Sequence, residues 1–119
     1  MLDLFADTPP WQEPLAPGAV ILRRRALADA PGLMAGVGQV VADSPLRQMV
    51  TPGGYTMSVA MSNCGELGWT TDARGYLYSP RDPQTGRRWP AMPDAFLALA
   101  RACAREAGYD GFAPDACLI

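Results

Sequence analysis

Apolar residues recur along this chain with two different periods, and each period marks a different kind of element. Leu33, Val37, Val40 and Val41 give one apolar helical face that runs to about Ser44. Asp29 stands where a helix N-cap is expected, and Pro31 suits the first turn. Gly36 and Gly38 weaken this helix. Their Gly-x-Gly spacing falls inside the helical pattern and lacks a third glycine, so it is not read as a dinucleotide loop. A second helix is better defined: Phe96, Leu99, Ala100, Cys103 and Ala107 share a face, Arg101, Arg105 and Glu106 turn outward, Pro93 opens it and Gly108 stops it.

A period of two appears elsewhere. Tyr55, Met57, Val59 and Met61 project to one side of a strand, and Thr56, Ser58, Ala60 and Ser62 to the other. Pro52-Gly53-Gly54 is the turn that opens it. Residues 19–22, all apolar, read as a buried strand ended by Arg23-Arg24-Arg25, a triplet that either meets solvent or faces a phosphate. Trp69-Thr70-Thr71 is a candidate short strand, and Tyr76-Leu77-Tyr78 places two tyrosines on one side with a leucine on the other. Residues 82–86, Asp-Pro-Gln-Thr-Gly, form a turn. The first eighteen residues, with four prolines, read as an irregular lead-in pinned by burial of Trp11. The last four, Ala116-Cys117-Leu118-Ile119, are a strand-like apolar run at which the sequence stops, so a fragment or a truncated reading frame is expected. Two helical patterns and one clear alternation predict an α+β fold in which helices pack on a mostly antiparallel sheet.

Composition narrows the chemistry. The chain has 119 residues and no histidine, which excludes Ser-His-Asp and Cys-His catalysis and any metal site that needs imidazole. Every basic residue is arginine, so Schiff-base chemistry and a lysine-dependent phosphate loop are excluded as well. Three widely spaced cysteines fit reduced thiols, with Cys103 and Cys117 expected to be buried among apolar neighbours. No apolar run approaches a membrane span and the start lacks the pattern of a secretory signal, so a cytoplasmic protein is expected.

Charge is uneven. The net charge is −2, yet residues 45–91 are net positive, with Arg47, Arg74, Arg81, Arg87 and Arg88 against Glu66, Asp72 and Asp82. The same stretch holds Tyr55, Trp69, Tyr76, Tyr78 and Trp89, side chains with a flat apolar face and a hydrogen-bonding tip, suited to stacking on a base or gripping a phosphate. Met49, Met57 and Met61 add adaptable apolar contacts. Composition alone accommodates either a small core or a looped recognition flap.

The literal sequence separates the two. Gln48-Met49-Val50-Thr51-Pro52-Gly53-Gly54-Tyr55-Thr56-Met57-Ser58-Val59-Ala60-Met61 closely resembles the segment leading into the nucleotide-recognition lid of the AlkB family. Gly68-Trp69-Thr70-Thr71, Gly75-Tyr76-Leu77-Tyr78-Ser79-Pro80, Asp82-Pro83-Gln84-Thr85 and Trp89-Pro90-Ala91-Met92-Pro93 continue the resemblance. So do Pro114-Asp115-Ala116-Cys117-Leu118-Ile119, Pro10-Trp11-Gln12-Glu13-Pro14-Leu15 and the opening Met1-Leu2-Asp3-Leu4-Phe5. It thus covers essentially the whole chain at consistent spacing.

The resemblance implies an iron(II)- and 2-oxoglutarate-dependent dioxygenase that repairs alkylated DNA and RNA. Lesions such as 1-methyladenine and 3-methylcytosine are flipped into a pocket in that family, because the target atom is out of reach inside a stacked duplex. The methyl group is hydroxylated and leaves as formaldehyde while 2-oxoglutarate becomes succinate. Residues 1–119 would form the N-terminal part of one domain, the start of a double-stranded β-helix (jelly roll), and residues 45–91 its nucleotide-recognition lid. Carried over by position, Trp69 stacks on the flipped base, Tyr76 bonds to substrate at the phosphate, and Leu77 and Tyr78 line the same wall. Thr51 is a second phosphate contact, and Met57 and Met61 shape the pocket.

The family's His-x-Asp…His iron triad and its 2-oxoglutarate ligands are not in this sequence. Neither iron(II) nor 2-oxoglutarate is therefore expected to bind this chain, and the chain alone is expected to be inactive. The expected partners are single- or double-stranded DNA and RNA with alkylated bases, with no membrane, and a monomeric parent. A stand-alone nucleic-acid binding module and a non-functional truncated product are the alternatives.

Overall fold

The computed structural model describes Leu4 and residues 8–119. Of the matching segment at residues 1–5, all but Leu4 therefore lies outside the described residues.

Among the described residues, eight strands and two helices follow in the order β1 (Trp11–Ala16), β2 (Ala19–Arg23), a 3-10 turn (Leu27–Asp29), α1 (Ala30–Asp43), β3 (Arg47–Val50), β4 (Thr56–Met61), β5 (Asn63–Gly65), β6 (Gly68–Asp72), β7 (Gly75–Ser79), α2 (Asp94–Glu106) and β8 (Ala116–Leu118). The strands pair as four antiparallel ladders, β1 with β2, β3 with β4, β5 with β8 and β6 with β7. The α+β expectation holds, and the sheets are open rather than closed into a barrel.

The N-terminal lead-in is more regular than expected. Residues Trp11–Ala16 form a strand that pairs with β2, with an irregularity in register between Pro14 and Ala16. A proline is tolerated there because a two-stranded ribbon has an outer edge that needs no donor. Pro17 and Gly18 supply the turn, with φ +78° at Gly18, the left-handed value that glycine adopts without strain. The Tyr109 hydroxyl donates to the Gly18 carbonyl at 2.6 Å and ties this turn to the segment after α2. Trp11 is not the buried pin that its size suggested: it pairs with Arg23 on an exposed ribbon and remains 51% exposed.

Helix α1 begins after Asp29, as the capping pattern predicts, but the Asp29 side chain makes no capping hydrogen bond. It faces Arg25 at 3.5 Å instead, and Arg25 also binds Glu106 of α2 at 2.9 Å, with hydrogen bonding to Glu106 the leading cause that raises the arginine pKa. The two helices meet where Gly36 comes against Phe96: a Cβ at Gly36 would lie 2.8 Å from the Phe96 ring. The glycine that weakens α1 locally is thus what lets α2 approach.

The fully buried apolar core is small, made of Val40, Met49, Met61, Cys64 and Trp89. Leu33 and Val37 of α1, Phe96, Leu99, Ala100 and Cys103 of α2, and the β8 end line an open apolar trough of about 630 Å³. Both helical faces read from the sequence therefore exist, but α2 buries none of its residues fully. The cysteines differ from expectation for the same reason. Cys64 is the buried one, while Cys103 and Cys117 border the trough and are half-buried; all three are free thiols. Cys64 and Cys117 stand opposite each other in the β5–β8 ladder. Their hydrogen bond and burial push the Cys64 thiol up, and the same hydrogen bond lowers Cys117.

Candidate nucleic-acid recognition site

The β6–β7 hairpin carries the aromatic residues. Its register pairs Trp69 with Tyr78, Thr70 with Leu77, and Thr71 with Tyr76. Because side chains alternate along a strand, Trp69, Thr71, Tyr76 and Tyr78 share one face, and Gly68, Thr70, Leu77 and Ser79 share the other. On the first face Trp69 and Tyr76, diagonal neighbours, stack with ring centroids 5.7 Å apart and planes at 28°. Tyr76 and Tyr78 stay 71% and 62% exposed, so two large aromatic faces remain available to a flat partner. Asp72 holds the tip of the hairpin by accepting the Arg74 N–H at 2.8 Å and pairing with the Arg74 guanidinium, also at 2.8 Å.

A cavity of about 300 Å³ opens beside this face, lined by Asn63, Trp69, Tyr78, Ala116 and Leu118. Asn63 and Leu118 are ladder partners of β5 and β8. Strand pairing thus joins two distant parts of the sequence at the wall nearest Trp69. Asn63 itself is 1% exposed, and both ends of its amide bond the Trp69 backbone: Nδ2 donates to the Trp69 carbonyl at 2.8 Å, and Oδ1 accepts the Trp69 N–H at 2.9 Å.

The opposite face of the hairpin rests on Trp89. Its indole N–H donates to the Ser79 carbonyl at 3.0 Å, and Gly68 packs so close that a Cβ there would collide with the Trp89 ring. Arg47 lies over the indole, 5.3 Å from the ring centroid, and grips buried Asp82 through two bonds of 2.6 and 2.7 Å. Burial pushes the Asp82 pKa up, but hydrogen bonds from Arg47, the Gln84 N–H and Ser44, with the Arg47 charge, bring it down to about 2. Other arginines of the segment also turn to the protein: Arg81 donates to the Gly86 carbonyl at 3.2 Å, and Arg87 to the Asp43 carbonyl at 3.1 Å.

The candidate residues therefore separate. Trp69, Tyr76 and Tyr78 come together on one face. Leu77 turns to the other side, where it lines a smaller cavity with Arg47, Met49 and Thr70, so it does not share a wall with Tyr78. Thr51 caps the β3–β4 turn, its hydroxyl accepting the Tyr55 N–H at 3.2 Å. Met57 lies half-buried in β4, and Met61 is buried at the end of that strand. Of the other aromatics, Tyr55 is 77% exposed and Trp89 is in the core. Asn63, Ala116 and Leu118 had no signal in the residue pattern, because only the β5–β8 register brings them to the cavity.

The chain has no histidine, and among the described residues no three of Asp, Glu and Cys converge on a point that could hold a metal ion. The residues described do not fit an iron centre.

Comparison with known proteins identifies the class. The chain belongs to the 2OG-Fe(II) oxygenase superfamily, whose family model matches residues 21–119. Iron(II) and 2-oxoglutarate are the cofactors of that family in its full-length members. Within it, the chain is 66% identical over 119 residues to the alpha-ketoglutarate-dependent dioxygenase AlkB of Escherichia coli (strain K12), covering 100% of this chain and 55% of the relative. It is 64% identical over the same length to AlkB of Salmonella typhimurium (strain LT2), with the same coverage. An AlkB homolog of Caulobacter vibrioides (strain NA1000 / CB15N) is 44% identical over 99 residues, covering 83% of this chain and 40% of the relative. The chain spans about half the length of the two AlkB relatives it matches end to end. Among the described residues no helix is long and apolar enough to cross a membrane.

Proposed function

We propose that this chain is the substrate-recognition portion of an oxidative demethylase that repairs alkylated bases, 1-methyladenine and 3-methylcytosine among them, in DNA and RNA. The observation that carries the reading is the stacked Trp69–Tyr76 pair standing beside a cavity of about 300 Å³. Residues 45–91 act as the lid. Trp69 receives the extruded base, and a methylated base that carries positive charge gains attraction over the indole face. Tyr76 offers a hydroxyl at the exposed rim, and Thr51 offers another from the β3–β4 turn. Leu77 acts from the far face of the hairpin, through packing. Met57 and Met61 act from β4.

The parent enzyme is read as a cytoplasmic monomer that uses iron(II) and 2-oxoglutarate, whereas this chain by itself binds neither and forms no product. Incubation of the purified chain with iron(II), 2-oxoglutarate and methylated DNA is expected to release no formaldehyde or succinate above background. Recognition is tested separately, by binding a single-stranded oligonucleotide that contains one 1-methyladenine. Base–aromatic stacking contributes about 1–3 kcal/mol, so Trp69→Ala is expected to weaken binding by roughly 5- to 150-fold. Equal affinity of Trp69→Ala and the parent chain would overturn this assignment.

A further inference from the structure

We propose that Asn63 is a positioning residue for the stacking indole, its carboxamide standing in for a missing strand along the outer edge of β6. Both backbone polar groups of Trp69 go to Asn63, at 2.9 and 2.8 Å, which means that they point away from β7. Trp69 and Tyr78 therefore form a non-hydrogen-bonded pair of the hairpin, and the outer edge of β6 would be left open at the one residue whose ring must be held still. Asn63 closes that edge. A primary amide presents one acceptor and one donor side by side, the same arrangement as a neighbouring peptide. The reciprocal contacts also fix which end is which, because the Trp69 N–H requires the oxygen and the Trp69 carbonyl requires the NH2.

The amide is itself immobilised. Asn63 is 1% exposed, lies opposite Leu118 in the β5–β8 ladder, and follows Ser62, whose N–H and carbonyl both bond Ile119 at 3.0 and 2.9 Å. The path runs from the β5–β8 ladder through one side chain to the Trp69 peptide and then to the indole stacked on Tyr76. This deepens the recognition reading and rests on it where substrate is concerned, but the positioning of the ring can be measured without any substrate.

The decisive variant is Asn63→Asp. An ionised carboxylate of the same shape still accepts the Trp69 N–H but confronts the Trp69 carbonyl with a second acceptor. Once protonated it offers an acceptor and a donor again, and burial raises the pH at which it protonates. The readout is the near-ultraviolet circular dichroism of the Trp69–Tyr76 pair, taken as the difference from Trp69→Phe, between about pH 7 and about pH 5. The parent chain is expected to give a constant signal over this range. Asn63→Asp is expected to lose most of the signal at the upper end and regain it at the lower. Asn63→Leu, which fills similar space with neither group, should lack it throughout. Binding of the 1-methyladenine oligonucleotide should follow, weakened about tenfold in Asn63→Asp at neutral pH and restored on acidification.

A parent-like signal in Asn63→Asp at neutral pH, a parent-like signal in Asn63→Leu, or no recovery of Asn63→Asp on acidification would each overturn the proposal. If the dichroism behaves as expected while the parent chain fails to bind the oligonucleotide, the positioning role stands and the recognition reading falls.

Discussion

Replacing Asp82 with alanine is expected to lower the stability of this chain by about 3–5 kcal/mol, the usual penalty for leaving one member of a buried ion pair alone. Asp82 is 0% exposed and receives two charge-assisted bonds from Arg47, and the Gln84 N–H donates to the same carboxylate at 2.8 Å. Removing it strands a guanidinium that is only 13% exposed, over the Trp89 ring. Urea unfolding should show the loss as a shift in midpoint. The double variant Arg47→Met with Asp82→Leu, which removes both charges together, is expected to recover a large part of it, because no charge is then buried unpaired. Equal stability of Asp82→Ala and the parent chain would sink the argument.

The same carboxylate gives a pH signature. Its ordinary pKa is 3.8 and the fold lowers it to about 2, so the folded state favours the ionised form. The contribution is complete above the unfolded value, declines as pH falls between about 4 and about 2, and is absent below; its size is about 2 kcal/mol. Asp82→Asn should flatten that part of the acid unfolding curve.

The second large effect is expected at Gly68. An alanine methyl group there would meet the Trp89 indole closer than real Cβ contacts come. The indole has no room to retreat: its N–H is fixed to Ser79, its face is covered by Arg47, and its side chain is 4% exposed. Either the ring leaves its site or β6 lifts from it. Overpacking of this kind costs about 1–3 kcal/mol, and here it also moves Trp69, the next residue in the strand. Gly68→Ala should therefore lower the thermal midpoint and alter the Trp69–Tyr76 dichroism together. Pairing it with Trp89→Leu, which vacates the space, should relieve much of the thermal loss. An unchanged midpoint in Gly68→Ala would show that the contact yields.

What could be read from the sequence follows how local each feature is. Both helices were visible from spacing alone, and the alternation at residues 55–62 gave β4. Tyr76 and Tyr78 could be grouped by alternation, whereas Trp69 joined them only through the family resemblance, because their pairing depends on the hairpin register. Strand β1 was hidden by Pro14 and Pro17, residues that usually argue against a strand but fit a ribbon with an open edge and a Pro-Gly turn. Asp29 marked the start of α1 correctly, yet its side chain found Arg25 rather than the helix. Asn63, Leu118 and the Arg47–Asp82–Trp89 cluster were out of reach, since each depends on partners that only tertiary pairing supplies. Leu77 shows the limit of carrying roles over by position: alternation places it opposite Tyr76 and Tyr78.

The hydrogen bonds that the arginines make to the protein itself have a consequence for the physics of association. Arg47 is held in the interior by Asp82, and Arg74, Arg81 and Arg87, though exposed, each already share hydrogen bonds with the protein, so few guanidinium groups are wholly free to displace the cations condensed along a nucleic-acid strand. Each neutralised phosphate of a single strand steepens the dependence of log affinity on log salt by about 0.7. A plot for the 1-methyladenine oligonucleotide should therefore be shallow, with a slope no steeper than about −1.5. Counterion release would then be a minor term, and a lesion would be picked out by the flatness of its ring and the charge that methylation adds to it, in concentrated salt nearly as well as in dilute.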